Sequence, residues 1–198
     1  RTIESLCRND ELLLSNPRFY GKIKYYESAD ERVCYRQTGV ERMRDWIEDH
    51  LLGKVEKPLR YQGNEMNAVH KDWDSTALRM VFAFPDVYEI GMSHLGLSIL
   101  YHQANEQPDC LMERVFAPWP DMEDAMRRES IPLYALESGD AVRDFDIVGF
   151  SIGYEMAFTN VLNMLDLAGI PLRAEERGED MPLVMAGGTA CFNAEPIA

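Results

Sequence analysis

Residues 78–96, LRMVFAFPDVYEIGMSHLG, leave the chain few ways to fold. Leu78 to Phe84 is an apolar run too short for a helix and rich enough in Val and Phe to be a strand buried on both faces. Pro85-Asp86 breaks it into a loop that holds Gly91, Ser93, His94 and Gly96. LGLSILYHQAN then places Leu95, Ile99 and the Leu100/His102 shoulder at helical spacing. Strand, long loop and helix in that order predict the opening of a parallel α/β sheet. Loops at the carboxyl ends of such strands hold ligands, so function is expected there.

The same pattern continues downstream. A short strand is expected around Met112 to Phe116, then a Pro118-Trp119-Pro120 turn and a helix whose first turn carries Asp121, Glu123 and Asp124. Carboxylates there complement the positive end of the helix dipole and need no catalytic explanation. Ile131 to Leu136 reads as a brief further strand, and Asp146 to Gly153, DIVGFSIG, as the next well-buried one. EMAFTNVLNMLDLAG places Phe158, Leu162 and Leu165 on one helical face, with Gly169 and Pro171 marking the stop. The last strand, Pro182 to Met185, runs into Ala186-Gly187-Gly188-Thr189.

Ahead of this unit, residues 1–53 read as an N-terminal helical extension and residues 54–75 as an extended strap, leaving 76–198 as the Rossmann-like body. Within the extension, Ile3, Leu6, Leu13 and Leu14 suggest a short helix stopped by Asn16-Pro17. Residues 18–38 mix aromatics with charges, as an arm packed on a partner would. Val40, Met43, Ile47 and Leu51 then form an amphipathic stripe that Gly53 ends. In the strap, KPLRYQGNE is polar and aromatic in a way a mere linker need not be, which leaves flank packing and a role at the site both open. A chain of 198 residues with 46% hydrophobic content buries one good core, not two.

Charge and motif content narrow the function classes. Residues 61–198 hold 8 Lys+Arg against 23 Asp+Glu, a body that repels a phosphate backbone and disfavours direct nucleic-acid binding. No run approaches the roughly 18 apolar residues of a membrane span, and RTIESLCRND lacks a signal peptide's apolar centre, so a cytoplasmic location is expected. Cys7, Cys34, Cys110 and Cys191 form no CxxC or CxxxCxxC and read as free thiols. His70 has no second histidine at ligand spacing, so no metal site is expected. GxGxxG is absent, and Gly91 to Gly96 has P-loop glycine spacing without the Lys-Ser/Thr that phosphate and magnesium need. Ser93 and His94 are neighbours in sequence, which does not place a nucleophile beside a base, so no catalytic residues are assigned.

Three strand ends, 84–96, 151–155 and 187–191, carry small or hydrogen-bonding residues. Right-handed parallel connections would put them on one rim, and a flavodoxin-like order would open a crevice between the strands ending near Phe84 and Ser151. Glycine at 187 and 188 would let a bulky ligand approach the backbone, although Gly-Gly also suits a tight turn before a helix.

KPLRYQGNE, HKDWD, FAFPDVYEIGMSHLGLSILYH, ERVFAPWPDME, FDIVGFSIGYE, TNVLNMLDLAGIPLR and AGGTACFNAEPIA together resemble the N-terminal region of the cobalamin-binding-domain radical SAM proteins. The resemblance runs from about Leu51 to Ala198. It implies a Rossmann-like cobalamin-binding domain followed by a radical SAM barrel, in cis or in trans, whose three cysteines hold a [4Fe-4S] cluster that cleaves S-adenosylmethionine. Cluster and S-adenosylmethionine would belong to that downstream domain, making this segment the accessory domain alone, a fragment or a truncated product, with an unknown substrate. Cobalamin domains of the mutase type use Asp-x-His-x-x-Gly, then Ser-x-Leu and Gly-Gly. Asp86-Val-Tyr-Glu-Ile lacks that histidine, Ser151-Ile-Gly153 keeps the serine without the leucine, and Gly187-Gly188 is kept. The resemblance implies Ser151, Gly187 and Gly188 along the nucleotide tail, with Tyr88, Glu89, Ser93, His94 and Tyr154 facing the corrin. His94 could equally cap the following helix or sit satisfied in the core. The alternative is a cofactor-free degenerate Rossmann-like domain that docks to the barrel or a partner protein.

Overall fold

The structure is a computed structural model that describes residues 43–73 and 75–197. The helix expected within residues 1–15, the arm at 18–38, Cys7, Cys34 and the start of the Val40 stripe lie outside the described residues. The stripe's remainder is helix α1 (Met43–His50), which buries Ile47 and continues through buried Leu51 into a single turn at Leu52–Lys54.

Four strands form the sheet: β1 (Leu78–Phe84), β2 (Cys110–Phe116), β3 (Ile147–Ser151) and β4 (Leu183–Gly187). Their order is β2-β1-β3-β4 and every pairing is parallel, as the flavodoxin-like reading expects. Helices α2 (Tyr88–Met92), α3 (Leu95–Asn105), α4 (Pro120–Glu129) and α5 (Phe158–Leu167) fill the crossovers. Side chains alternate between faces along each strand, which divides the apolar residues into two layers. Val81, Ala83, Val115, Val148 and Phe150 pack toward α1, α4 and α5. Met80, Phe82, Phe84, Met112 and Ile147 pack with Leu97, Tyr101 and Ala104 of α3.

Several local expectations change. The loop after β1 contains helix α2, whose Ile90 and Gly91 amides both donate to the Val87 carbonyl. A Cβ at Gly91 would lie 2.2 Å from the Phe116 ring, so this position packs against β2. In α3 the buried face is Leu97, Tyr101 and Ala104, while Leu95 is 72% and Ile99 47% exposed. The phase follows from the helix start, because His94 caps it and turns position 97 onto the sheet. In α5, Phe158 and Leu165 are buried with Val161 and Met164, and Leu162 is exposed.

Ile131 to Leu136 forms no strand. It runs beside the outer edge of β2, where Leu136 donates to the Arg114 carbonyl, and Tyr134 bridges only to Ala141. The Arg114 amide that a strand's carbonyl would have taken donates instead to the Glu137 carboxylate at 2.8 Å. That carboxylate also takes Arg114 Nε at 2.5 Å, so a buried ion pair replaces a ladder and closes the edge.

The strap holds the sheet at both ends. Lys71 Nζ donates to the carbonyls of Asn105, Gln107 and Cys110, where α3 ends and β2 begins. At Gly63, with φ 65°, a Cβ would overlap the Leu136 carbonyl oxygen at 1.8 Å. Only glycine fits a left-handed position pressed against another backbone.

Candidate functional site at the carboxyl rim

The carboxyl ends of β1, β3 and β4 lie on one rim, with Ala83 in register with Phe150 and Ser151 with Gly187. Chain order reverses between β1 and β3, so the switch-point crevice falls between Phe84 and Ser151. Two contacts span it. Tyr154 Oη donates to Asp86 Oδ2 at 2.8 Å, and Asn160 Nδ2 donates to the Pro85 carbonyl at 2.9 Å. The bond to Asp86 raises the Tyr154 phenol above its ordinary range. Sequence reasoning named Tyr154 but neither Asp86 as its partner nor Asn160, and the Pro85-Asp86 break after β1 and the polar Thr159-Asn160 at the start of α5 were the available signals.

On the β1 side, the strap occupies the proposed residues. Glu89 Oε1 accepts from Arg60 Nη2 at 2.8 Å and Nε at 3.0 Å, and pairs with Lys57 Nζ at 3.4 Å. The Arg60 hydrogen bonds hold the Glu89 carboxyl below its ordinary range, and the Arg60 guanidinium lies 5.2 Å from the Trp119 ring centre. Tyr88 Oη donates to Glu65 Oε1 at 2.8 Å and its ring meets Phe116 edge-on. Desolvation first, then that bond, pushes the Tyr88 phenol up to about 12. Asp86 and Gly91 keep the spacing of the Asp-x-His-x-x-Gly signature, so Tyr88 occupies the histidine's place, a correspondence that sequence reasoning missed. Beneath the strap, Arg60, Tyr61, Tyr88, Phe116 and Tyr134 line a cavity of about 30 Å³, enough for about one water.

Ser93 Oγ donates to the Glu89 carbonyl at 2.7 Å. His94 caps α3, its Nδ1 accepting from the Leu97 amide at 3.1 Å. A neutral ring that accepts at Nδ1 carries its proton on Nε2, so capping and donation of an Nε2 lone pair to a metal exclude one another.

The two glycines differ. At Gly188, φ is 115° and a Cβ would meet the Ile152 carbonyl oxygen at 2.3 Å, so the chain's own backbone fills that side. The turn is fixed by Ile152 N–H to Gly187 O, Ala190 N–H to Ile152 O and Thr189 Oγ1 to Gly153 O. A Cβ at Gly187 would meet nothing within 4 Å. Open space at the rim therefore lies beside Gly187, next to half-buried Ser151. Among the described residues, no group of three His, Cys, Asp or Glu could hold a metal ion, and no helix is long and apolar enough to cross a membrane.

A parallel sheet of order β2-β1-β3-β4 with a polar carboxyl rim defines a Rossmann-like α/β domain. Residues 96–198 match the family model described as radical SAM proteins, N-terminal, and the chain belongs to that family. No curated protein and no solved structure matches it.

Proposed function

We propose that the chain is the accessory domain of a radical SAM protein and seats a corrinoid, cobalamin, on its carboxyl rim. The observation that supports this reading is the open space beside Gly187, in register with Ser151 and adjacent to the switch point. Ser151 and Gly187 would hold the nucleotide tail, Gly188 would fix the turn that keeps the space open, and Tyr154 would border the macrocycle. The fit is partial. Glu89, Ser93 and His94 are engaged within the chain, and His94 as a cap offers cobalt no nitrogen. A bound corrinoid would supply carbon-group transfer, while the protein supplies position and shielding. Cluster and S-adenosylmethionine would come from the barrel.

Hydroxocobalamin added to the purified chain should elute with it from a desalting column. Gly187→Val should lower that retention with little change in stability, because a Cβ there meets no protein atom within 4 Å. A docking module without cofactor is the second reading, favoured by the number of rim side chains already engaged with the strap and α3. Free passage of the corrin through the column leaves only that reading.

A further inference from the structure

Residues 64–70 of the strap span two fixed points with little apolar anchoring of their own. Gly63 is pressed against the Leu136 carbonyl, and Lys71 sits among three carbonyls where α3 ends and β2 begins. Between them no side chain is buried: Met66 is fully exposed, and Val69 rests half-buried on the core. The hydrogen bonds that hold the segment down run from Tyr88 Oη to Glu65 Oε1 at 2.8 Å, from Val69 N–H to Tyr101 Oη at 2.8 Å and from Arg44 Nη2 to Asn64 Oδ1 at 3.1 Å. Segments with few buried apolar contacts open locally, at less cost than global unfolding. Beneath this one lies an underpaired cation. Arg114 is 2% exposed, with Nε on Glu137 Oε1 at 2.5 Å and Nη1 on the Met92 sulfur at 3.4 Å. Its Nη2 has no hydrogen-bond partner among the described residues, nor has Glu65 Oε2, and the two stand 3.8 Å apart. Buried polar atoms are almost always satisfied, so a guanidinium nitrogen left short of its carboxylate marks a place that a better-seated carboxylate would fill.

We infer that residues 64–70 are a flap, and that a carboxylate ligand takes the place of Glu65 on Arg114 Nη2 and Tyr88 Oη when the flap lifts. Lifting removes Glu65 from both donors and leaves the Arg114–Glu137 pair intact. Bare donors are costly, so an acceptor that satisfies them favours the open state by its preference for that state. One free guanidinium nitrogen beside one hydroxyl matches the two oxygens of a carboxylate. The site already balances one such charge, so the acidity of the whole chain does not exclude the ligand. β1 and β3 separate Arg114 on β2 from Gly187 on β4, so the flap acts apart from the space beside Gly187.

The test uses the full 198-residue chain, with sodium formate as the probe and sodium chloride at equal concentration as the control. Ala68 N–H bonds the Glu65 carbonyl and Val69 N–H bonds Tyr101, so both amides report on the flap. Their hydrogen exchange should run at least a hundredfold faster than that of the β1 amides, with little dependence on urea. Formate should speed it at least threefold over chloride while the β1 and β4 amides keep their rates. Glu65→Ala vacates the place without any need to lift the flap, so formate should raise the thermal midpoint of that variant above its value in chloride, and by more than it raises the wild type's. If the variant fails to fold, the wild-type exchange decides. Ala68 and Val69 amides as slow as those of β1, or identical behaviour in formate and chloride, would each overturn the proposal, and neither result bears on corrin retention.

Discussion

Tyr154 reaches across the gap between β3 and β1 to bond Asp86 at 2.8 Å, so two side chains bridge the lip of the crevice where this topology binds ligands. Tyr154 is 46% exposed, and such a bond contributes about 0.5–1.5 kcal/mol. Tyr154→Phe should therefore change the urea midpoint little. Removing the bar should raise hydroxocobalamin affinity roughly threefold to tenfold, the same energy read as binding. Lower affinity in a fluorescence titration would make the tyrosine a contact and not a bar.

His94 separates a cap from a ligand. Asparagine caps helices as well as any residue, so His94→Asn should leave both stability and corrin retention unchanged, whereas His94→Ala should cost about 1 kcal/mol. A corrin spectrum that changes with His94→Asn would show that the ring leaves α3 to meet the cofactor.

Gly188 and Gly187 should respond oppositely to alanine. Gly188→Ala meets both a left-handed backbone and the Ile152 carbonyl oxygen, and should cost about 2–3 kcal/mol in urea denaturation. Gly187→Ala, in open space with no positive φ, should be close to neutral.

Glu113 predicts a pH slope. Burial first, then the nearby Glu137 and Asp140 carboxylates, push its carboxyl from 4.5 up to about 7, against the pull of the Ser138 hydroxyl and amide. The folded state thus binds this proton more tightly than the unfolded chain. The associated stability is fully present below about pH 4.5 and is lost as pH rises through about 7, amounting to about 3 kcal/mol at most. Glu137, also pushed up by burial, acts in the same direction. Glu113→Gln should flatten thermal stability over that range, and an unchanged slope would assign it elsewhere.

Strand positions were legible because buried parallel strands leave apolar runs bounded by turn residues, as at Leu78–Phe84 and Ile147–Ser151. Side-chain phase was less so. The faces of α3 and α5 depend on where each helix starts, and at α3 that was set by a histidine cap no periodicity reveals. The edge at Arg114 was hidden for a related reason, since a carboxylate standing in for a carbonyl looks in sequence like any turn glutamate. Rim membership could be read from strand ends alone. Which rim residues were already occupied could not, because Arg60, Glu65 and Lys57 come from a strap at least 23 residues away in sequence.

Lys71 puts an ammonium into a bowl of three carbonyl oxygens, much as a potassium ion would sit, while Arg60 grips Glu89 at the opposite end of the strands. The strap is thus pinned like a strut along the height of the sheet. Tension on the polypeptide ahead of it would load buried Ile47, Leu51, Leu52 and Val55 first, then the salt link at Glu89, and the bowl last. Once α1 has left the core, such a pull would uncover Tyr88 and the cavity beside it while the base of the sheet stays held.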